Sequence, residues 1–171
     1  LDQYWRQALF LVDEGCSVER IDSVLEAWGM AMGPFRMMDM VGNDLHWAIR
    51  RRHYIEQPQL RYSRIADKLC ELGRFGRKSG AGWYRYERHG STPHADSAVD
   101  TLIRSHRAET GAVQREVSDD EIVNRLVFAL INEGARILDN DPALGPGDID
   151  TVYVAGYGFP RFRGGPMYYA D

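Results

Sequence analysis

The sequence predicts an all-α protein built from two related helical units, on three observations. Apolar residues recur at three- and four-residue spacing through most of the chain, glycines stand where several of these runs stop, and four marks of the first half return in order in the second. At 171 residues, 44% apolar and 27% charged, the chain has the composition of a soluble globule rather than a disordered tail. A net charge of −4 offers no basic footprint for nucleic acid or for a membrane surface. Apolar runs are short and broken by charges, and Leu1-Asp2-Gln3-Tyr4-Trp5-Arg6 has none of the regions of a signal peptide. The two cysteines, Cys16 and Cys70, fit no metal spacing and point to a reducing compartment, with the cytoplasm as the expected location. The chain opens on Leu1 and not on Met, which reads as a cut from a longer protein.

Element by element, Tyr4, Trp5, Ala8, Leu9, Leu11 and Val12 make a first helix that Gly15 stops. Ser17 caps a second, with Val18, Ile21, Val24, Leu25 and Trp28 on one stripe before Gly29. Gly33-Pro34 opens a third, punctuated at Gly42-Asn43-Asp44 and resuming from Leu45 to about Ile55. Ser63 caps a further helix through Ile65, Leu69 and Leu72. The stretch from Gly76 to Tyr86 is too rich in glycine for a helix and reads as a loop with a short extended tail. A polar connector follows, then a helix carrying Val99, Leu102 and Ile103. Ser118-Asp119-Asp120-Glu121 has the form of a capping box, and the run Ile122 to Leu138 is the strongest helix, apolar nearly all round at Val127-Phe128-Ala129-Leu130 and so expected to be central and buried. Gly156 to Pro166 reads as loop. The expected division is a first helical unit over 1–88, a linker with one helix over 89–117, and a second, incomplete unit over 118–171.

The duplication rests on Ile21-Asp22 recurring as Ile149-Asp150, Trp28-Gly29 as Tyr157-Gly158, and Gly33-Pro34 with Asp39 as Gly165-Pro166 with Asp171. The offset grows from 128 to 132 residues, so the second unit carries four extra residues between these marks, three of them in the loop that contains Arg161-Phe162-Arg163.

Few residues carry chemistry. Gly80-Ala81-Gly82, Gly145-Pro146-Gly147 and Gly156-Tyr157-Gly158 lack a third glycine and a strand before them, which excludes a dinucleotide fingerprint. His46 and His53 share a helix but have no further ligand placed for a metal, and read as partly exposed residues of a polar face. Arg50-Arg51-Arg52 reads as the solvated, dipole-satisfying end of a helix. Met30, Met32, Met37, Met38 and Met40 either line an adaptable apolar pocket or fill core and interface. In Gly76-Arg77-Lys78-Ser79-Gly80 the lysine either offers a point charge to a phosphate or ribose group or merely keeps a glycine-rich turn soluble.

Glu14-Gly15, Ile21-Asp22, Met32-Gly33-Pro34-Phe35 with Asp39, and Gly76-Arg77-Lys78-Ser79-Gly80-Ala81-Gly82-Trp83-Tyr84 with Tyr86 together resemble the C-terminal helical domain of 3-hydroxyacyl-CoA dehydrogenases. The second unit, with Asn124-Arg125, Asn132-Glu133, Asp148-Ile149-Asp150 and Gly156-Tyr157-Gly158-Phe159-Pro160, is similar to a second copy, as in the multifunctional enzymes of fatty-acid β-oxidation. The resemblance implies tandem copies of the 6-phosphogluconate-dehydrogenase C-terminal-like helical domain, the second truncated. It further implies NAD as cofactor, an acyl-CoA substrate, and a Rossmann domain ahead of Leu1 that carries the catalytic histidine and glutamate. On that reading this stretch holds no catalytic residue, is inactive alone, and completes the acyl-CoA cleft while its two units bury matching faces against each other. Lys78 is the one ligand residue carried over, reaching to the dinucleotide, and Asn124 is structural. The alternative is a purely structural dimerising module with no ligand role.

Overall fold

In the computed structural model the described residues are 1–87, 90–140 and 145–171, and the unit boundary expected between 88 and 89 lies outside them. Helices form where the apolar spacing places them at α1 (Asp2–Asp13), α2 (Val18–Trp28), α3 (Pro34–Val41), α4 (Asn43–Glu56), α5 (Ile65–Glu71), α6 (Ser97–Thr110) and α7 (Asp119–Asn140), and the second half adds α8 (Pro146–Gly156) and α9 (Pro166–Ala170), with a short 3-10 turn at Arg161–Arg163 inside the stretch expected as loop. Ser17 Oγ accepts from Arg20 N at 3.2 Å and starts α2, whereas Ser118 Oγ accepts from Glu121 N at 3.1 Å and starts α7. The reciprocal half of that capping box is missing because the Glu121 carboxylate turns to Arg115. Among the described residues the extended tail makes only isolated bridges, the outermost pairing Arg85 with His94.

One apolar core holds both halves together. Ile122, Leu126 and Leu130 of α7 pack with Tyr4, Ala8 and Leu11 of α1 and Ile21 and Leu25 of α2, all essentially inaccessible to water. Each such aliphatic side chain contributes about 1.5–3 kcal/mol on burial. The linker helix α6 adds Val99 and Ile103 to this core, and its Arg107 Nε donates to the Val12 carbonyl at 2.9 Å. Arg125 ties α7 to α1 through Glu14 at 2.8 Å and Gln7 at 3.0 Å.

Two expectations are corrected. α7 is central but not buried all round: Phe128 is 51% exposed, because α1, α2, α8 and α9 cover one side and leave the other open among the described residues. Arg50 is not part of a solvated helix end. It is 5% exposed in the middle of α4, where its Nε donates to Asp67 Oδ1 of α5 at 2.8 Å.

The marks of the proposed duplication carry the same hydrogen bonds. Asp22 accepts from the amides of Phe35 and Arg36 at 2.9 and 3.1 Å, and Asp150 accepts from those of Met167 and Tyr168 at 2.7 and 3.1 Å. In each case a carboxylate caps the helix that follows Gly-Pro, and a Cβ on Gly33 or Gly165 would fall 2.3 Å from that aspartate.

The longer loop of the second half forms a latch. Ala31 N donates to Gly158 O at 3.0 Å, the Arg163 guanidinium lies 4.2 Å over the Trp28 ring, and its Nε donates to the Trp28 carbonyl at 3.2 Å. Replacing Arg163 by alanine is expected to cost about 1–2 kcal/mol through the lost cation–π and carbonyl contacts. Urea denaturation checks it, and an unchanged midpoint would mean that the latch does not hold the halves together.

Candidate functional site

Asp39, 1% exposed near the end of α3, organises the loop expected from Gly76 to Tyr86. Its Oδ1 accepts from Trp83 N at 2.9 Å and Asn43 Nδ2 at 2.8 Å, and its Oδ2 accepts from Tyr84 N and the Tyr86 hydroxyl, both at 3.0 Å. A Cβ on Gly82 would sit 1.9 Å from Asp39 Oδ1, so only glycine admits this approach. The Trp83 ring is fully buried against Phe35 at 4.9 Å between centroids. Tyr84 continues the clamp by donating to Asp22 at 2.7 Å. Burial pushes the Asp22 carboxyl up to about 7 while the Tyr84 hydroxyl and two amides pull it back, and burial likewise raises Asp39.

This clamp sets the short 3-10 turn Arg77–Ser79 on the surface. Ser79 Oγ accepts from Phe75 N at 2.9 Å and lies 3.0 Å from the Gly76 carbonyl, which ties the turn shut. Lys78 projects outward with its side chain 53% exposed, and its Nζ donates to Asp44 Oδ2 of α4 at 2.6 Å. The ammonium holds the Asp44 carboxyl below the usual carboxylate range. The lysine side chain crosses Gly42, where a Cβ would come within 3.0 Å of Nζ and 3.2 Å of Cε. Met40, Arg77, Lys78, Ser79, Gly80 and Tyr86 line an open cleft of about 710 Å³. An exposed ammonium beside a glycine with no atom within 4 Å of its open side at Gly80 fits a phosphate or ribose approaching the backbone.

A second cavity of about 530 Å³ is apolar, lined by Leu1, Trp5, Met32, Met37, Met40 and Tyr157 among others. It divides the methionine cluster: Met30 and Met38 belong to the core, while Met32, Met37 and Met40 line the cavity. Met40 borders both spaces, so the apolar cavity and the Lys78 cleft meet at this residue.

The other sequence candidates are not brought to this site. His46 lies against Trp5 at 4.0 Å, and burial depresses its pKa to about 4, so it stays neutral. His53 Nδ1 instead faces the Tyr62 hydroxyl at 2.7 Å. Among the described residues no group of three or more His, Cys, Asp or Glu is placed to hold a metal, and no helix is long and apolar enough to cross a membrane. Asn124 is exposed on α7, and its neighbour Arg125 makes the holding contacts. Met40 already stood in the methionine cluster as a candidate pocket residue, whereas Asp44 and Gly42 are the residues that sequence reasoning missed. Their only signal was the Gly42-Asn43-Asp44 punctuation, read there as a helix break.

The family model described as 3-hydroxyacyl-CoA dehydrogenase, C-terminal domain, matches residues 1–86, half of the chain. The chain belongs to this family. Relatives extend the likeness beyond the matched half. The peroxisomal bifunctional enzyme of Danio rerio is 43% identical over 98% of the chain, and that of Homo sapiens 42% identical over all of it. The peroxisomal fatty acid beta-oxidation multifunctional protein of Oryza sativa is 33% identical over 98%. The chain spans about a quarter of the length of each of these relatives. The crystal structure of the dehydrogenase part of multifunctional enzyme 1 from C. elegans shares the fold, with a TM-score of 0.74 over 93% of this chain and 35% of that one at 24% identity.

The family carries the helical fold expected from the sequence. It also corrects one expectation, the cytoplasmic location, since the zebrafish, human and rice relatives are named peroxisomal. Two buried cysteines without a disulfide between them do not tell one compartment from another.

Proposed function

We propose that these residues form the helical part of an NAD-dependent 3-hydroxyacyl-CoA dehydrogenase of peroxisomal fatty-acid β-oxidation, working with a Rossmann domain that brings the catalytic histidine and glutamate. On this reading 118–171 repeats the unit in 1–88, joined through the 89–117 linker, and the matched Asp22 and Asp150 caps support it. The cofactor supplies the hydride acceptor when bound. This chain's residues do the rest of the positioning: Lys78 offers its ammonium to the dinucleotide, and Met32, Met37 and Met40 give the acyl chain a deformable apolar wall.

The observation that carries the reading is the shared wall at Met40. Hydride transfer needs the carbon that bears the hydroxyl and the nicotinamide ring in contact, so the space for an acyl chain and the space for a dinucleotide must adjoin. A polar cleft with an exposed lysine beside an apolar cavity meets that requirement. Exposed Val41 lines the apolar cavity, Leu45 and Ile49 are exposed on the helix that follows, and this apolar surface suits packing against the nucleotide-binding domain.

In the complete dehydrogenase, Lys78→Ala is expected to raise the Kd and KM for NAD by about tenfold, the loss of one charge-assisted contact. Steady-state kinetics and cofactor titration check it. Unchanged constants would favour the alternative, a structural module with no ligand role.

A further inference from the structure

An exposed lysine is a poor ligand if its long side chain is free, since binding must then order several rotors. Lys78 is not free. Its Nζ lies 2.5 and 2.6 Å from the two Asp44 carboxylate oxygens, and its Cε and Nζ run over Gly42, where a Cβ would crowd them at 3.2 and 3.0 Å. The partner carboxylate is also fixed, sitting in the first turn of α4, and Asn43 N beside it donates to Phe75 O at 3.1 Å, tying this helix start to the loop that carries Lys78. A helix start and a glycine-rich turn, 34 residues apart in sequence, thus hold one ammonium at the rim of the cleft.

We propose that Asp44 is a positioning residue for Lys78, presetting its ammonium over Gly42 in the arrangement from which it meets the dinucleotide. The inference rests on the cofactor role given above to Lys78. Asp44 itself touches no cofactor in this scheme and acts through the lysine. The carboxylate removes rotor freedom before binding, so its loss weakens cofactor affinity without touching the chemical step.

The chain has two lysines, Lys68 and Lys78, which makes lysine acylation a direct reading of the pair. Lys68 pairs with Glu109 and serves as the internal reference. With a water-soluble acylating ester and peptide mass analysis, Asp44→Asn is expected to raise the Lys78 acylation rate severalfold relative to Lys68, and Asp44→Glu to keep it low. In the complete dehydrogenase Asp44→Asn is expected to raise the Kd and KM for NAD about two- to fivefold, the range for an exposed ion pair, with the effect on KM and not on kcat. Asp44→Glu restores affinity, and in a Lys78→Ala background Asp44→Asn adds nothing.

An unchanged Lys78 acylation rate in Asp44→Asn overturns the positioning role. So does an Asp44→Asn enzyme that binds NAD as tightly as the parent, or more tightly, while Lys78→Ala weakens binding. If Lys78→Ala itself leaves NAD binding untouched, the cofactor role of Lys78 has failed, and this inference falls with it for that separate reason.

Discussion

Replacing Asp39 by alanine is expected to lower stability by about 3–5 kcal/mol, among the largest effects of any single change in the chain. The carboxylate is buried and accepts four hydrogen bonds, from the amides of Trp83 and Tyr84, the Tyr86 hydroxyl and the Asn43 side chain. Alanine leaves all four donors buried without a partner, and each such loss costs about 1–3 kcal/mol before relaxation. Relaxation has a definite route: the loop from Gly76 to Tyr86 leaves its seat, Trp83 is exposed, and the Lys78 turn loses its support. Urea denaturation followed by tryptophan fluorescence measures the loss, and cofactor affinity should fall in parallel. A stability within 1 kcal/mol of the parent, as expected for a surface position, would show that the aspartate does not organise the loop.

Removal of the Asp67 carboxylate is the second large effect, and its asymmetry is diagnostic. Arg50 and Asp67 are 5% and 6% exposed, and Arg50 Nε donates to Asp67 Oδ1. Asp67 also accepts from the Tyr54 hydroxyl at 2.7 Å and from Arg64 Nη1 at 2.9 Å, whereas Arg50 Nη2 is buried with no partner. Asp67→Ala therefore strands a buried guanidinium and is expected to cost about 3–5 kcal/mol. Arg50→Met leaves the carboxylate two donors and fills the same channel, so about 1–2 kcal/mol is expected. Equal costs for the two single variants, measured by urea denaturation, would refute this account.

Those two sites mark the limit of sequence reading in opposite ways. Asp39 and the Gly76 to Tyr86 loop were visible as motifs, because a glycine-rich stretch ending in alternating aromatics is incompatible with a helix. That Gly82 must be glycine follows only from the carboxylate placed against it. Arg50 was misplaced outright. α4 exposes Leu45 and Ile49 and buries an arginine, the reverse of what hydropathy assigns, because the arginine's partner lies on another helix. The methionine cluster was left open between pocket and core, and the structure divides it between both.

By itself the sequence determined the helices from α1 to α7, the loop at Gly76, the repeated Ile-Asp and Gly-Pro marks, and the resemblance that names the family. These are local matters, set by spacing, capping and backbone freedom within a few residues. Only the tertiary structure decided which charges are buried, that Lys78 rests on Asp44, and that an apolar cavity and a polar cleft adjoin at Met40. Those depend on side chains tens of residues apart meeting in one place, where the free energy of a charge or a thioether is set by its neighbours and not by its own kind.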